Sequence, residues 1–139
     1  MGPIIDKVAA MVAGVEGIQA VHQSSRSPLT DTPAALIEAV CEGQQWEQEL
    51  GSQALRLELR LSVAIVEALP SDPAQVPAAR DRVMALARAC RAALAADPSL
   101  DGGCLTTRVK RTDFSYSSIN GGDYAQALTL LDAVKQQAF

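Results

Sequence analysis

Apolar positions along this chain change period from one stretch to the next, and each period predicts an element. From Leu55 to Leu69 the period is two: Leu55, Leu57, Leu59, Leu61, Val63 and Ile65 alternate with Arg56, Glu58, Arg60, Ser62 and Ala64. Six matches in succession do not fit a helix, so this stretch predicts a strand. At ~3.3 Å per residue it reaches about 45 Å, well beyond the usual strand. A strand so long overruns its own core, and the overrun needs cover.

From Asp72 to Gly103 the period turns helical. Val76, Val83, Leu86, Ala87, Cys90 and Leu94 form one apolar stripe. Asp72 suits an N-cap, and Pro73 sits in the first turn, where a missing N–H costs nothing. Asp97-Pro98 and Gly102-Gly103 end the helix. Its expected length, ~20–24 residues or about 30–36 Å, is a full layer for a chain of this size.

The remaining elements follow in order. Ile4, Ile5, Val8, Met11, Val12 and Val15 share a helical face that Gly14 and Gly17 close. Ile18–His22 suits a short strand, and Ser24–Thr32 is a polar loop. After Pro33 the composition favours a helix, but Leu36–Cys41 before Glu42-Gly43 also suits a half-buried strand ending in a turn. The strand, Ala35–Glu42, is the expectation. Cys104–Ile119 is rich in Thr, Val and aromatics and predicts another strand. Its alternation slips between Val109 and Phe114/Tyr116, so a bulge is expected near Arg111–Asp113. Asn120-Gly121-Gly122-Asp123 signals a hairpin turn. Tyr124–Val134 then has a helical composition but follows a hairpin signal. A strand to about Leu131 is expected, with a frayed or helical tail. The sum is a single α+β domain over 1–139: an antiparallel or mixed sheet with a long amphipathic central strand and helices on one face.

Composition narrows this picture. Of 139 residues, 48% are hydrophobic but only 4% aromatic, so the core is aliphatic. A net charge of −4 weighs against binding nucleic acid through phosphate neutralisation, and no sequence-specific nucleic-acid partner is expected. No apolar run approaches about 18 residues, so no membrane partner is expected. Asp6 and Lys7 interrupt the first apolar segment, which does not read as a secretory signal, and synthesis in the cytosol follows. Cys41, Cys90 and Cys104 form no C-x-x-C pair and predict neither a disulfide framework nor a zinc site. Cys90, on the apolar stripe, reads as a small buried hydrophobe.

Candidate chemistry is sparse. His22 is the only histidine, followed by Ser24 and Ser25, with none of the support a nucleophilic pair needs. Nucleotide, metalloprotease and hydrolase signatures are absent. No catalytic, cofactor or metal residue is assigned, and the chain is expected not to be an enzyme. Gly102-Gly103 and Gly121-Gly122 read as turns before they read as an anion cradle. Trp46, the only tryptophan, suits a partner-facing anchor or core packing alike.

Charge is segregated. Ser27–Leu55 carries five acids (Asp31, Glu38, Glu42, Glu47, Glu49) and no Lys or Arg. Arg80–Arg111 carries seven bases (Arg80, Arg82, Arg88, Arg91, Arg108, Lys110, Arg111) against Asp81, Asp97 and Asp101. Such complementarity suits a head-to-tail contact between identical subunits, with Glu38, Glu42, Glu47 and Glu49 facing those seven bases. Neutralisation within one subunit suits it equally.

Taken together, the opening helix ending in VEGIQAV, the loop into TPAALIEAV, the strand ALRLELRLSVAIVEALP, the helix ARDRVMALARACRAALAADPSLDGG and the hairpin FSYSSINGGDYAQALTL resemble the tail terminator or tail-completion proteins of long-tailed bacteriophages. The resemblance covers most of the chain and lies in the order of degenerate pieces, with no single diagnostic motif. It implies a small α+β subunit, made in the host cytoplasm and resident in the virion neck. Such a subunit forms a hexameric ring on the finished tail tube, stops tube growth and meets the head-side connector. Its implied partners are other copies of itself, the major tail tube protein and that neck protein. Another neck component, a connector or stopper, is the neighbouring reading; a small cytosolic enzyme or ligand-binding domain is the distant one.

Overall fold

A computed structural model describes residues 2–23, 31–49, 52–97, 106–119 and 122–138, with the backbone alone at 2–3, 41–49, 52–57, 106 and 135–138. Helix α1 (Gly2–Ala13) leads into strand β1 (Ala20–His22), then β2 (Ala34–Glu49) and β3 (Ser52–Ala68). A 3-10 turn (Pro73–Gln75) opens helix α2 (Val76–Ala96), and β4 (Thr106–Ile119) and β5 (Gly122–Ala138) follow. The strands form one sheet in the order β1-β2-β3-β5-β4. β1 pairs parallel with β2, and every other neighbour pair is antiparallel, so the sheet is mixed.

Both helices pack on the same face. Alternate residues of β3 (Leu59, Leu61, Val63, Ile65) and β5 (Ala125, Ala127, Leu131, Ala133) meet Ile4, Val8 and Val12 of α1 and Val83, Ala87, Cys90 and Leu94 of α2 in one buried cluster. The α+β architecture is therefore the one the sequence predicts. The helical stripe holds with one adjustment: Ala79 is fully buried, whereas Val76 and Leu86 are half-buried. Leu86 lies at the margin because Gly17 occupies the space beside it. Gly17 has φ +101°, and a Cβ there would stand 2.9 Å from Leu86 Cδ2. Only glycine adopts that backbone without strain and leaves that room.

Asp72, expected to cap the helix, caps the 3-10 turn that precedes it, its carboxylate accepting from the Ala74 backbone N–H at 3.0 Å with Pro73 just inside, while α2 itself follows Gln75 with no side-chain cap. The sheet departs from expectation at two ends. β2 does not turn at Glu42-Gly43 but runs on to Glu49, and β5 does not fray after Leu131 but stays a strand to Ala138. One cause serves both. β3 is 17 residues long, and its exposed ladder groups are satisfied by β2 on one side, to Glu49↔Ser52, and by β5 on the other, to Ala54↔Ala138. Pairing overrides the helical composition of β5, whose alanines 125, 127 and 133 are fully buried under the helix layer.

The predicted slip in β4 lies between Val109 and Thr112, at the start of the expected interval. A second irregularity, at Ala39/Cys41 of β2, leaves Val40 as the extra residue. Most of the predicted loop at 24–32, the tip of the 120–123 turn and the glycines 102–103 fall outside the described residues.

Candidate functional site

The helix-free face of the sheet is where this chain offers a surface. Its apolar members, Ala34, Leu36, Ala64, Val66 and Tyr124, form a second buried cluster, with Ala20, Ile119 and Leu128 packed against it. Beside the cluster the sheet is hollow. An open depression of about 590 Å³ is lined by Leu36, Glu38 and Val40 of β2, Ser62 and Ala64 of β3, Gln126, Leu128 and Leu130 of β5, and Ser118 and Ile119 of β4. Val40 on this face is 54% exposed; the other large apolar side chain left open among the described residues, Tyr116 of β4 at 55%, lies on the helix side, in register with Ala125 and edge-on to Phe114. The depression is shallow and its lining mostly aliphatic, with Glu38 its charged member. That suits contact with a macromolecule better than chemistry on a small one.

Towards the Ser52 end of β3 the same face becomes ionic. Arg60 donates to Asp132 across the β3–β5 pair, Nε to Oδ1 at 2.8 Å and Nη2 to Oδ2 at 3.3 Å, and Lys110 Nζ stands 3.5 Å from Oδ2. The Arg60 hydrogen bond, above all, holds the Asp132 carboxyl below its ordinary range against the opposing effect of partial burial. Arg108 pairs in register with Asp132, so β4 brings two bases to this end of the face.

The charged residues singled out in the sequence are distributed over three places. Glu38 is exposed on the helix-free face. Glu42, Glu47 and Glu49 lie on β2 opposite Leu59, Ala54 and Ser52, and their side chains are outside the described set. Arg80, Arg82, Arg88 and Arg91 are exposed on α2. Arg82 donates to the nearly buried Glu67 at 2.8 Å, which raises the affinity of the guanidinium for its proton, while Arg80 stands 3.6 Å from Asp81. Arg108, Lys110 and Arg111 are exposed on β4, and Arg111 meets Asp113 at 2.9 Å. The fold therefore splits the bases into a helix set and a β4 set. Among the described residues none of the ion pairs seen joins either set to the acids of 27–55.

His22 lies half-buried in β1, and Cys90 is a buried free thiol that burial pushes up to about 11. Among the described residues no three His, Cys, Asp or Glu side chains gather as a metal site would require, and no helix is long and apolar enough to cross a membrane. Sequence reasoning missed the second apolar face and the Arg60–Asp132 bond. A signal for the first was present: the even positions of β3 change from Arg56, Glu58 and Arg60 to Ser62, Ala64 and Val66. Comparison with protein-family models gives no match, and comparison with curated proteins gives none either.

Proposed function

We propose that this chain is a structural subunit of a long-tailed bacteriophage, a tail terminator that closes into a ring on the tail tube, ends its growth and receives the head-side connector. The reading begins from the resemblance in the order of elements. The observation that carries it further is a mismatch of lengths. α2, with 21 residues, is about 31 Å long, whereas β3, with 17, is about 56 Å. α2 starts at the Ala68 end of β3, where Arg82 meets Glu67. β3 therefore outruns the helix by about 25 Å, and β2 and β5 run out with it. Three paired strands with no helix of the described residues beside them make a stiff arm suited to reaching a neighbouring subunit or the tube.

Electron microscopy of lysates lacking the protein tests the assignment. Overlong or headless tails are expected. Tails of normal length joined to heads would refute it.

A further inference from the structure

Past the three residues of β1, which border only Ala34–Leu36, β2 and β4 are the outer strands of the sheet, and they carry opposite charge. β2 holds Glu38, Glu42, Glu47 and Glu49 with no Lys or Arg; β4 holds Arg108, Lys110 and Arg111 against Asp113. Among the described residues both edges are open past Leu36 of β2 and along β4. Among the described residues β1 pairs only with Ala34–Leu36 of β2, and from Glu38 to Val40 that strand is exposed. β4 pairs with β5 on one side alone. Among the described residues the large exposed apolar side chains, Val40 and Tyr116, lie one on each of these strands. Unpaired edges present rows of N–H and C=O groups ready to accept another strand.

From these edges we infer that copies of this chain join head-to-tail by strand addition, β4 of one copy pairing antiparallel with β2 of the next. Strand direction permits it. β2 and β5 run one way, β3 and β4 the other, so a neighbour related by rotation about an axis along the strands brings β2 antiparallel to β4. The level of the charges fits as well. Arg108 pairs with Asp132, Asp132 with Arg60 and Arg60 with Cys41, which sets Arg108 level with Cys41, next to Glu42. Through Thr112, Thr129, Val63 and Ile37 the same ladder sets Lys110 and Arg111 level with Glu38. A stagger between copies, which any closed sheet requires, slides the bases along a strand whose acids continue to Glu49.

Edge charges commonly guard against association, but a guard works when both edges have the same sign. Here β2 repels another β2 and β4 repels another β4, while β2 attracts β4. The pattern rejects symmetric dimers and admits a directional chain of copies. The inference deepens the ring contact proposed above and rests on that reading only for closure into a ring.

Edge-reversal variants of the full chain test it at high protein concentration and low salt, where the charges are least screened. The wild-type chain should sediment as multi-copy species. Arg108→Glu/Lys110→Glu/Arg111→Glu and Glu38→Lys/Glu42→Lys should each stay monomeric while retaining wild-type circular dichroism. An equimolar mixture of the two should assemble again, with equal numbers of each by native mass spectrometry. Hydrogen exchange on the unmodified chain, which needs no variant to fold, should show amides of 38–43 and 108–117 gaining protection together on assembly. A wild-type chain that stays monomeric, variants that assemble alone, a mixture that does not, or protection confined to α2 would each overturn edge pairing. If edge pairing fails while tails lacking the protein are overlong, the terminator reading stands with another contact. Edge pairing with normal tails would leave the opposite result.

Discussion

Arg82 of α2 holds Glu67 of β3, Nε 2.8 Å from Oε1, where helix and sheet first meet. Glu67 is 8% exposed, and its Oε2 has no partner among the described residues. The carboxylate therefore depends on one guanidinium. Arg82→Ala should destabilise the fold by about 1–3 kcal/mol, the range for a hydrogen bond to a charged, buried group. Arg82→Ala combined with Glu67→Gln should recover part of that loss, because an amide costs less to bury alone. Urea denaturation of the two variants and the wild type measures both effects. An unchanged midpoint in Arg82→Ala would remove the pair from the ledger of stability.

Asp132 gives the fold an acid-sensitive contact. Its folded pKa lies below its unfolded one, chiefly through Arg60, so its contribution is present above the unfolded value and disappears as pH falls through the folded value. The unfolded value is about 3.9. Asp132→Asn should therefore be less stable than wild type at neutral pH, and the gap should close in acid below that value. Denaturation midpoints of both proteins across the acid range check the sign.

Leu94 and Leu86 separate the buried helix stripe from its margin. Leu94 is 1% exposed, and its truncation to Ala should cost about 2–5 kcal/mol. Leu86→Ala, at a half-buried position, should cost less. Gly17→Ala should be destabilising through both its φ and its contact with Leu86 Cδ2. Placing Gly17→Ala on the Leu86→Ala background removes the contact but keeps the φ strain, so the double variant should lose less than the sum of the singles. Additive losses would show that backbone strain alone matters at Gly17.

Much of this was legible in the residues, and the failures have a physical pattern. Leu55–Ile65 declared a strand because both its period and its polarity were unmixed, and Val83–Leu94 declared a helix for the same reason. β2 and β5 were read too short because Gln44–Glu49 and Asp132–Ala138 have little β propensity of their own. They are strands because β3 lies beside them, and pairing partners do not appear in a local window. Glu67 was invisible as a buried carboxylate because its partner is 15 residues away on another element. The charged surface was legible as two segments of opposite sign. That β2, with four of the acids, and β4, with three of the bases, lie on opposite sides of one sheet depends on β5 entering between β3 and β4, which no spacing announces.

Cys90 offers a check on the helix–sheet seam that needs no substitution. Burial raises its pKa to about 11, so the thiol stays protonated and enclosed near neutral pH. Mass-mapped alkylation of the native chain should leave Cys90 unmodified until denaturant is added. Because the folded value is above the unfolded one, the thiol's contribution to stability is intact below the unfolded pKa and is lost as pH rises towards 11. Cys90→Ala should lack that alkaline decline. Rapid native labelling would mean that α2 opens readily.

The place of β5 also sets when the fold becomes possible during synthesis. It follows every other described strand in the chain but lies between β3 and β4, bonded to both. Until it leaves the ribosome, α2 lacks the floor formed by Ala125, Ala127, Leu131 and Ala133, and β3 and β4 have no common neighbour. Ala54 then waits for Ala138, far along the chain, to complete its ladder. Such distant closure makes for late and cooperative folding. A nascent chain therefore cannot display a finished β4 edge beside a finished helix layer before β5 has been made.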